Sequence, residues 1–126
     1  MLFVGSYLKN ADNSGAKLMK MLRVIGNSFK ESARLGEMIR VSVSKVEANK
    51  KVVRKKLYSA LILTLKSKTR RKDGSWISYS DNRAALISEQ DKFLGTRVLV
   101  PVCKEVRGGK NETRFKKIIG SSGRTL

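Results

Sequence analysis

The sequence predicts an all-β fold, a small barrel, on three observations. Short apolar segments are separated by turn-forming clusters about every ten residues, no long helical period interrupts them, and residues 38–46 show the clearest period of two, with 39–44 alternating between apolar and polar. Closing the sheet also removes exposed strand edges. At 126 residues the chain has one domain's worth of core.

Residues 2–8, apolar apart from Gly5 and Ser6, read as a first strand. Lys9 to Gly15 gathers Asn, Asp, Ser and Gly, which bond their own backbone or supply positive φ, so the chain should reverse there. Ala16 to Ile25 is a second strand with Leu18, Leu22 and Val24 on one face and Met19 and Met21 on the other; Lys20 interrupts it. Both sides should be covered for part of its length. A loop opens at Gly26-Asn27-Ser28 and closes on Gly36. Met38 to Val46 then sets Ile39, Val41 and Val43 against Arg40, Ser42 and Ser44, the pattern of a half-buried antiparallel strand. Glu47 to Lys56 holds five cations and one anion, in isolation a solvated connector. It leads into Leu57 to Leu65, apolar enough for a strand buried on both faces.

Residues 66–79 read as a basic β-ribbon. Asp73-Gly74 suits a two-residue type I′ turn. That turn would set Lys72 opposite Ser75, Arg71 opposite Trp76, Arg70 opposite Ile77 and Lys68 opposite Tyr79. Ser80-Asp81-Asn82 marks another turn, Ala84 to Ile87 a short strand, and Val98 to Val102 a strand that Pro101 confines to an edge or an exit. Beyond it, Val102 to Val106 and Thr113 to Ile119 flank Gly108-Gly109 and suit short helical turns, and Gly120 to Leu126 is a polar, basic tail.

Charge narrows the function. Twenty-eight Lys and Arg against ten Asp and Glu give +18, a self-repulsion that a polyanion would relieve, and nucleic acid is the natural partner. From Lys45 to Lys72 eleven cations face one anion, Glu47. A buried strand with cations at both ends should present a basic stripe of the kind that binds phosphates. No membrane partner is expected, since the longest apolar run, Ala60 to Leu65, is six residues. Histidine is absent and the carboxylates show no metal or acid–base spacing, so neither an enzyme nor a cofactor or metal site is expected. Cys103, the only cysteine, excludes an internal disulfide, fits a reducing interior and reads as a small apolar filler. The start, Met1-Leu2-Phe3-Val4-Gly5, has neither the basic region of a secretory signal nor an Arg-rich presequence. Such a protein would stay where it is made or have lost a targeting segment.

The order of several pieces carries a resemblance: Ala11-Asp12-Asn13-Ser14-Gly15-Ala16, Gly26, Gly36-Glu37-Met38-Ile39, Arg70-Arg71-Lys72-Asp73-Gly74-Ser75, then Gly95-Thr96-Arg97 followed by Pro101-Val102. Over nearly its whole length the chain resembles ribosomal protein fourteen of the large subunit. The resemblance implies a five-stranded β-barrel with a projecting β-ribbon and a C-terminal part carrying short helices. In this chain the barrel would span about 1–102, with the ribbon at 66–79, and the helical part and tail about 103–126, all in one domain. It implies a structural constituent of the large subunit that binds large-subunit rRNA on the intersubunit face, supports assembly and reaches small-subunit rRNA across the interface. Members neighbour another large-subunit protein, number nineteen in bacterial-type ribosomes, with which they extend a sheet. A ribosome-silencing factor docks on bacterial and mitochondrial members near the Gly-Thr-Arg piece, here Gly95, Thr96 and Arg97.

Departures accompany it. Arg54-Lys55-Lys56-Leu57 stands where the family usually has a Lys-Lys-Gly-Asp type of turn, Asp81-Asn82-Arg83-Ala84 lacks a usual glycine, Gly108 to Glu112 lengthens a loop, and the tail is basic. These suit a protein encoded inside an organelle, so the mitochondrial matrix is preferred over a bacterial cytoplasm or a plastid.

The residues expected to meet RNA are Lys9, Asn13, Ser14, Lys17, Lys30, Arg34, Lys50, Lys51, Arg54, Lys55, Lys56, Lys66, Lys68, Arg70, Arg71, Lys72 and Trp76. Trp76 reads as a packing residue before a base-stacking one. The alternative is a free-standing single-strand nucleic-acid-binding barrel of the OB type with Trp76, Tyr79 and Phe29 as a stacking platform, which an aromatic content of only 6% argues against. A third reading is a translation-regulating module that docks a protein at Gly95 to Val102.

Overall fold

Alternation at 39–44 and the mostly apolar stretch 57–65 give two walls of a closed barrel. A computed structural model describes residues 1–26, 29, 31–48, 52–88, 92–95 and 98–103. Their strands are β1 (Leu2–Phe3), β2 (Tyr7–Asn10), β3 (Ala16–Val24), β4 (Ser32–Ala33), β5 (Met38–Val46), β6 (Leu57–Thr64), β7 (Thr69–Arg70), β8 (Trp76–Ile77) and β9 (Arg83–Ile87). The barrel closes in the order β2-β3-β5-β6-β9, while β1 pairs with β4 and β7 with β8 as separate two-stranded sheets. There is no helix among the described residues, and the helical part expected after residue 102 lies outside them.

Neighbouring barrel strands follow chain order and run antiparallel. Five is odd, so alternating directions leave the first and last strands parallel: β9 meets β2 with Lys9 opposite Arg83 and Asn10 opposite Ala84. An OB-type barrel is a Greek key. The up-and-down path found here counts against that alternative.

In β5, Ile39, Val41 and Val43 point inward and are fully buried. From Ala60 to Leu65 every residue of β6 and its exit is buried, as expected of a strand covered on both faces, but that coverage does not reach the start of β6, where Leu57 is exposed and Ser59 half-buried. Burying a large aliphatic side chain contributes roughly 1.5–3 kcal/mol, so Leu61, Ile62, Leu63 and Leu65 make this strand the main apolar anchor. Leu2, Ala33, Leu35, Val98, Val102 and Cys103, all outside the barrel strands, belong to the same apolar cluster. Cys103 is a buried filler.

Three expectations need correction. The first strand breaks in two: Gly5, at φ 90, turns the chain and the Ser6 N–H bonds the Phe3 carbonyl at 3.1 Å. β1 therefore leaves the barrel for β4, and β2 continues through Lys9 and Asn10, which were expected in a turn. Second, β3 is not covered on both sides. Met19 and Met21 face the core, whereas Leu18 is half-buried and Leu22 exposed. Register shifts against β5, including one between Met21 and Arg23, bring Val24 back inside. An inserted residue reverses which positions face inward. Third, Val98 to Val102 forms no strand; Val98 makes one bridge to Asp12, and Leu99 N–H bonds the Ala11 carbonyl at 2.8 Å.

The strand directions separate the loops. Among the described residues, the turn 11–15, residues 47, 48 and 52–56 and Ser88, just after β9, lie at one end of the barrel. Residues 4–6, 25, 26 and 31–37 and the ribbon 65–82 lie at the other.

Candidate nucleic-acid interface

The expected basic stripe is resolved by this topology into two poles. The β5–β6 loop precedes β6 and the ribbon follows it, so a strand about 24 Å long, at ~3.4 Å per residue, separates the two.

At the ribbon pole, β7 and β8 pair with Arg70 opposite Trp76 and Thr69 opposite Ile77. The register is one residue from that expected, because the turn is not the two-residue type. Arg71 N–H bonds the Ser75 carbonyl at 2.8 Å, and Gly74 N–H bonds the Arg71 carbonyl at 3.1 Å. The loop is thus Lys72-Asp73-Gly74. Gly74 takes φ 91 while Asp73 does not have the positive φ that a type I′ turn demands. Asp73 instead uses its side chain: one carboxylate oxygen accepts the Ser75 N–H at 3.0 Å and its hydroxyl at 2.6 Å. The hydroxyl first, then the N–H, hold the Asp73 carboxyl below the usual carboxylate range, and Arg71 adds a smaller pull. A lowered folded-state pKa means this support is complete above the unfolded pKa and is lost as pH falls through the folded value. In a carboxyl NMR titration, Ser75→Ala, which keeps the backbone N–H, should raise the Asp73 midpoint towards that of an exposed aspartate; an unmoved midpoint would show that the Ser75 hydroxyl bond does not form in solution.

The ribbon's base is fixed to the barrel. Thr64 Oγ1 donates to the Asp81 carbonyl at 2.9 Å, Lys66 N–H to Asn82 Oδ1 at 2.8 Å, and Tyr79 N–H to the Leu65 carbonyl at 3.0 Å. Ile77 and Tyr79 pack on the core, while Lys66, Lys68, Arg70, Lys72 and Trp76 stay exposed and Arg71 is half-buried. Trp76 is 61% exposed, so little of its ring is covered by the described residues of its own chain. Arg34, next to β4, comes to this pole through the β1–β4 pairing.

At the opposite pole, residues 52–56 of the basic connector fold back on the barrel. Val52 is buried, the Val53 N–H bonds Tyr58 Oη at 3.1 Å, Lys55 N–H bonds the Val43 carbonyl at 2.8 Å, and Lys56 Nζ lies 5.5 Å from the Tyr58 ring centroid. Arg54, Lys55 and Lys56 are all exposed on it. The left-handed conformation in this turn falls on Lys55, at φ 65. That conformation costs an L-residue roughly 1–2 kcal/mol. Lys55→Gly should therefore raise stability in urea by about 0.5–1 kcal/mol, after the extra unfolded-chain entropy of glycine. No gain would mean that the loop relaxes.

The turn beside it is held by Asp12, which is buried. Its Oδ1 accepts the Ser14 N–H at 3.1 Å and the Ser14 hydroxyl at 2.6 Å, and its Oδ2 accepts the Leu86 N–H at 3.3 Å. Asn10 Nδ2 donates to the Asp12 carbonyl at 3.2 Å and to Ser14 Oγ at 3.0 Å. Ser14 is buried and shapes the turn, whereas Asn13 and Lys17 are exposed. Gly95 closes on this turn so tightly that a Cβ there would lie 2.8 Å from Asp12 Cβ and Cγ and 2.9 Å from Asn13 Oδ1. The two short pieces around Asp12 and Gly95 are thus one structural joint.

Of the remaining expected residues, Lys9 is exposed and shares Asp81 with Arg83, at 3.4 and 3.6 Å. Such exposed pairs contribute about 0–1 kcal/mol. Arg54, Lys55, Lys66, Lys68, Arg70 and Lys72 have no ion pair among the described residues. Lys30, Lys50, Lys51, Thr96 and Arg97 lie outside the described residues. Sequence reasoning missed the outer wall between the poles, where Lys20 pairs with Ser42, Arg23 with Arg40 and Leu18 with Lys45 across β3 and β5. Arg40's place opposite Ile39 and Val41 in the alternation was a usable signal.

A closed five-stranded barrel, a basic ribbon fixed at one end and a tight Asp12–Gly95 joint at the other account for the order of pieces along the chain. The family model for ribosomal protein L14p/L23e matches residues 1–126, and the chain belongs to that family of large-subunit ribosomal proteins.

Proposed function

We propose that the chain is a structural rRNA-binding component of the large subunit, seated at the intersubunit face and supporting both subunit assembly and bridging. The observation that carries the reading is the set of exposed cations at both ends of the barrel without ion pairs among the described residues. Folded RNA is recognised largely by shape and backbone, and a rigid barrel that fixes where cations stand suits it. Lys66, Lys68, Arg70 and Lys72 serve one RNA segment and Arg54, Lys55, Lys56 and Lys17 another, with the Lys20–Arg23–Arg40–Lys45 wall between them. Large-subunit rRNA is the main partner and small-subunit rRNA lies across the interface. The two-stranded sheets β1–β4 and β7–β8 have edges at which protein nineteen of a bacterial-type ribosome would extend a sheet. A silencing factor would dock beside Gly95, and the mitochondrial matrix is the preferred compartment. The role is non-catalytic.

Gradient fractionation of the source cell's extract tests the reading. The chain should co-sediment with the large subunit at about one copy per particle, and with mitochondrial ribosomes after organelle isolation. A free pool near the top of the gradient would favour an independent nucleic-acid binder.

A further inference from the structure

At the ribbon pole three segments distant in sequence enclose a cavity of about 240 Å³, lined by Met1, Arg34, Lys68, Thr69, Arg70 and Trp76. Its construction follows from the fold. The β1–β4 pairing sets Leu2 opposite Ala33 and so brings Arg34 beside the chain start. The Met1 amino group donates to Ser67 Oγ, which ties that start to the base of the ribbon. Register in the ribbon then places Arg70 directly across from Trp76. Three cations and one indole converge, and none of the lining residues is acidic. Trp76 is 61% exposed and no cation stacks on its ring among the described residues.

We propose that this cavity holds one unpaired RNA nucleotide, its base stacked on Trp76 and its flanking phosphates held by Arg34, Lys68 and Arg70. The inference rests on the rRNA-binding reading and adds to it a specific site. A base within a helix has both faces covered by its neighbours, so only an extruded or looped-out base can offer a face to the indole. Cations alone would hold a duplex backbone just as well; the open ring among them is what selects a splayed nucleotide. The volume is below the roughly 300–1,000 Å³ of pockets that enclose drug-sized ligands, so the base would occupy the cavity while the flanking phosphates stay at its rim.

Trp76 is the only tryptophan, so the emission of the full chain reports on this cavity alone. An RNA hairpin with one bulged adenosine is titrated in parallel with the same hairpin carrying an abasic residue at the bulge. The bulged hairpin should quench Trp76 and bind about 5- to 100-fold more tightly than the abasic one, the range of one base–aromatic stack. Trp76→Leu should erase that preference while leaving the salt dependence of binding unchanged, and Trp76→Phe should retain part of it. Equal binding of both hairpins without quenching overturns the nucleotide site and leaves RNA binding standing. Failure of both to bind overturns the two readings together. Equal quenching by oligoglutamate would assign the cavity to an acidic protein segment, and equal quenching by adenosine monophosphate to a free nucleotide; either overturns the proposal.

Discussion

Gly95→Ala is expected to destabilise the barrel by about 1–3 kcal/mol, the usual cost of forcing a methyl group into a packed site. The added Cβ would stand 2.8 Å from both Cβ and Cγ of Asp12, and these atoms are not the loose end of a side chain. Asp12 is committed on three sides, through Ser14 N–H, the Ser14 hydroxyl and Leu86 N–H, and its backbone bridges Val98. Either it surrenders these bonds or the segment carrying Gly95 lifts away and uncovers Val98 and the residues beyond it. Gly74→Ala is the natural contrast, because nothing lies within 4 Å of a Cβ there and only the φ of 91 opposes it. Its cost should stay in the ribbon and leave the barrel's unfolding midpoint nearly fixed. Urea denaturation should be followed by far-UV circular dichroism, since Trp76 sits on the exposed ribbon and reports poorly on the barrel. Asp12→Ala should itself cost about 1–3 kcal/mol by leaving buried donors unmet. Combined with Gly95→Ala it should cost less than the sum, because the turn is then free to yield. Strict additivity, or a neutral Gly95→Ala, would show that the contact does not exist.

The joint also marks the limit of what the sequence makes legible. Ile39, Val41 and Val43 betray themselves by period, and Ala60 to Leu65 by an apolar run that only Thr64 interrupts, because both signals are local. Asp12 and Gly95 are far apart in the chain, and the close approach of Gly95 to the Asp12 side chain leaves no trace except that one partner is glycine. Bulges defeat the alternation rule at β3, where Leu18 and Leu22 look as apolar as Met19 and Met21 but the register shifts decide which pair is inside. Asp73-Gly74 announces a hairpin without fixing its register, since a three-residue loop with its glycine at positive φ and its aspartate bonding Ser75 uses the same dipeptide. The single-residue slip decides which cation faces Trp76: Arg70, exposed, instead of Arg71, half-buried. Of the candidate site, the cations were legible as a cluster but their division between two poles was not, because charge counting along the chain ignores the length of the strand that separates them.

Neutralising both poles together should give the largest change in RNA binding. Replacing Arg54, Lys55, Lys56, Lys66, Lys68, Arg70 and Lys72 by glutamine removes seven charges from a net +18. Each phosphate contact contributes about 0.7–0.9 to the slope of log affinity against log salt, so the slope should flatten by on the order of five units if every cation meets a phosphate. A protein with 6–10 such contacts gains roughly 10³–10⁵-fold in affinity between 200 and 50 mM salt, and most of that gain should vanish. Stability supplies the sign that separates this effect from misfolding. The seven side chains are exposed and have no ion pairs among the described residues, and removing like charges relieves self-repulsion. The variant should therefore unfold at an equal or higher urea concentration while binding RNA far more weakly. The two poles can then be separated. With the ribbon and the β5–β6 loop at opposite ends of β6, beyond the reach of a shared phosphate, ribbon-only and loop-only variants should flatten the slope by amounts that sum to the combined effect. If one set carries the whole effect, RNA lies at a single end and the two-pole interface is wrong.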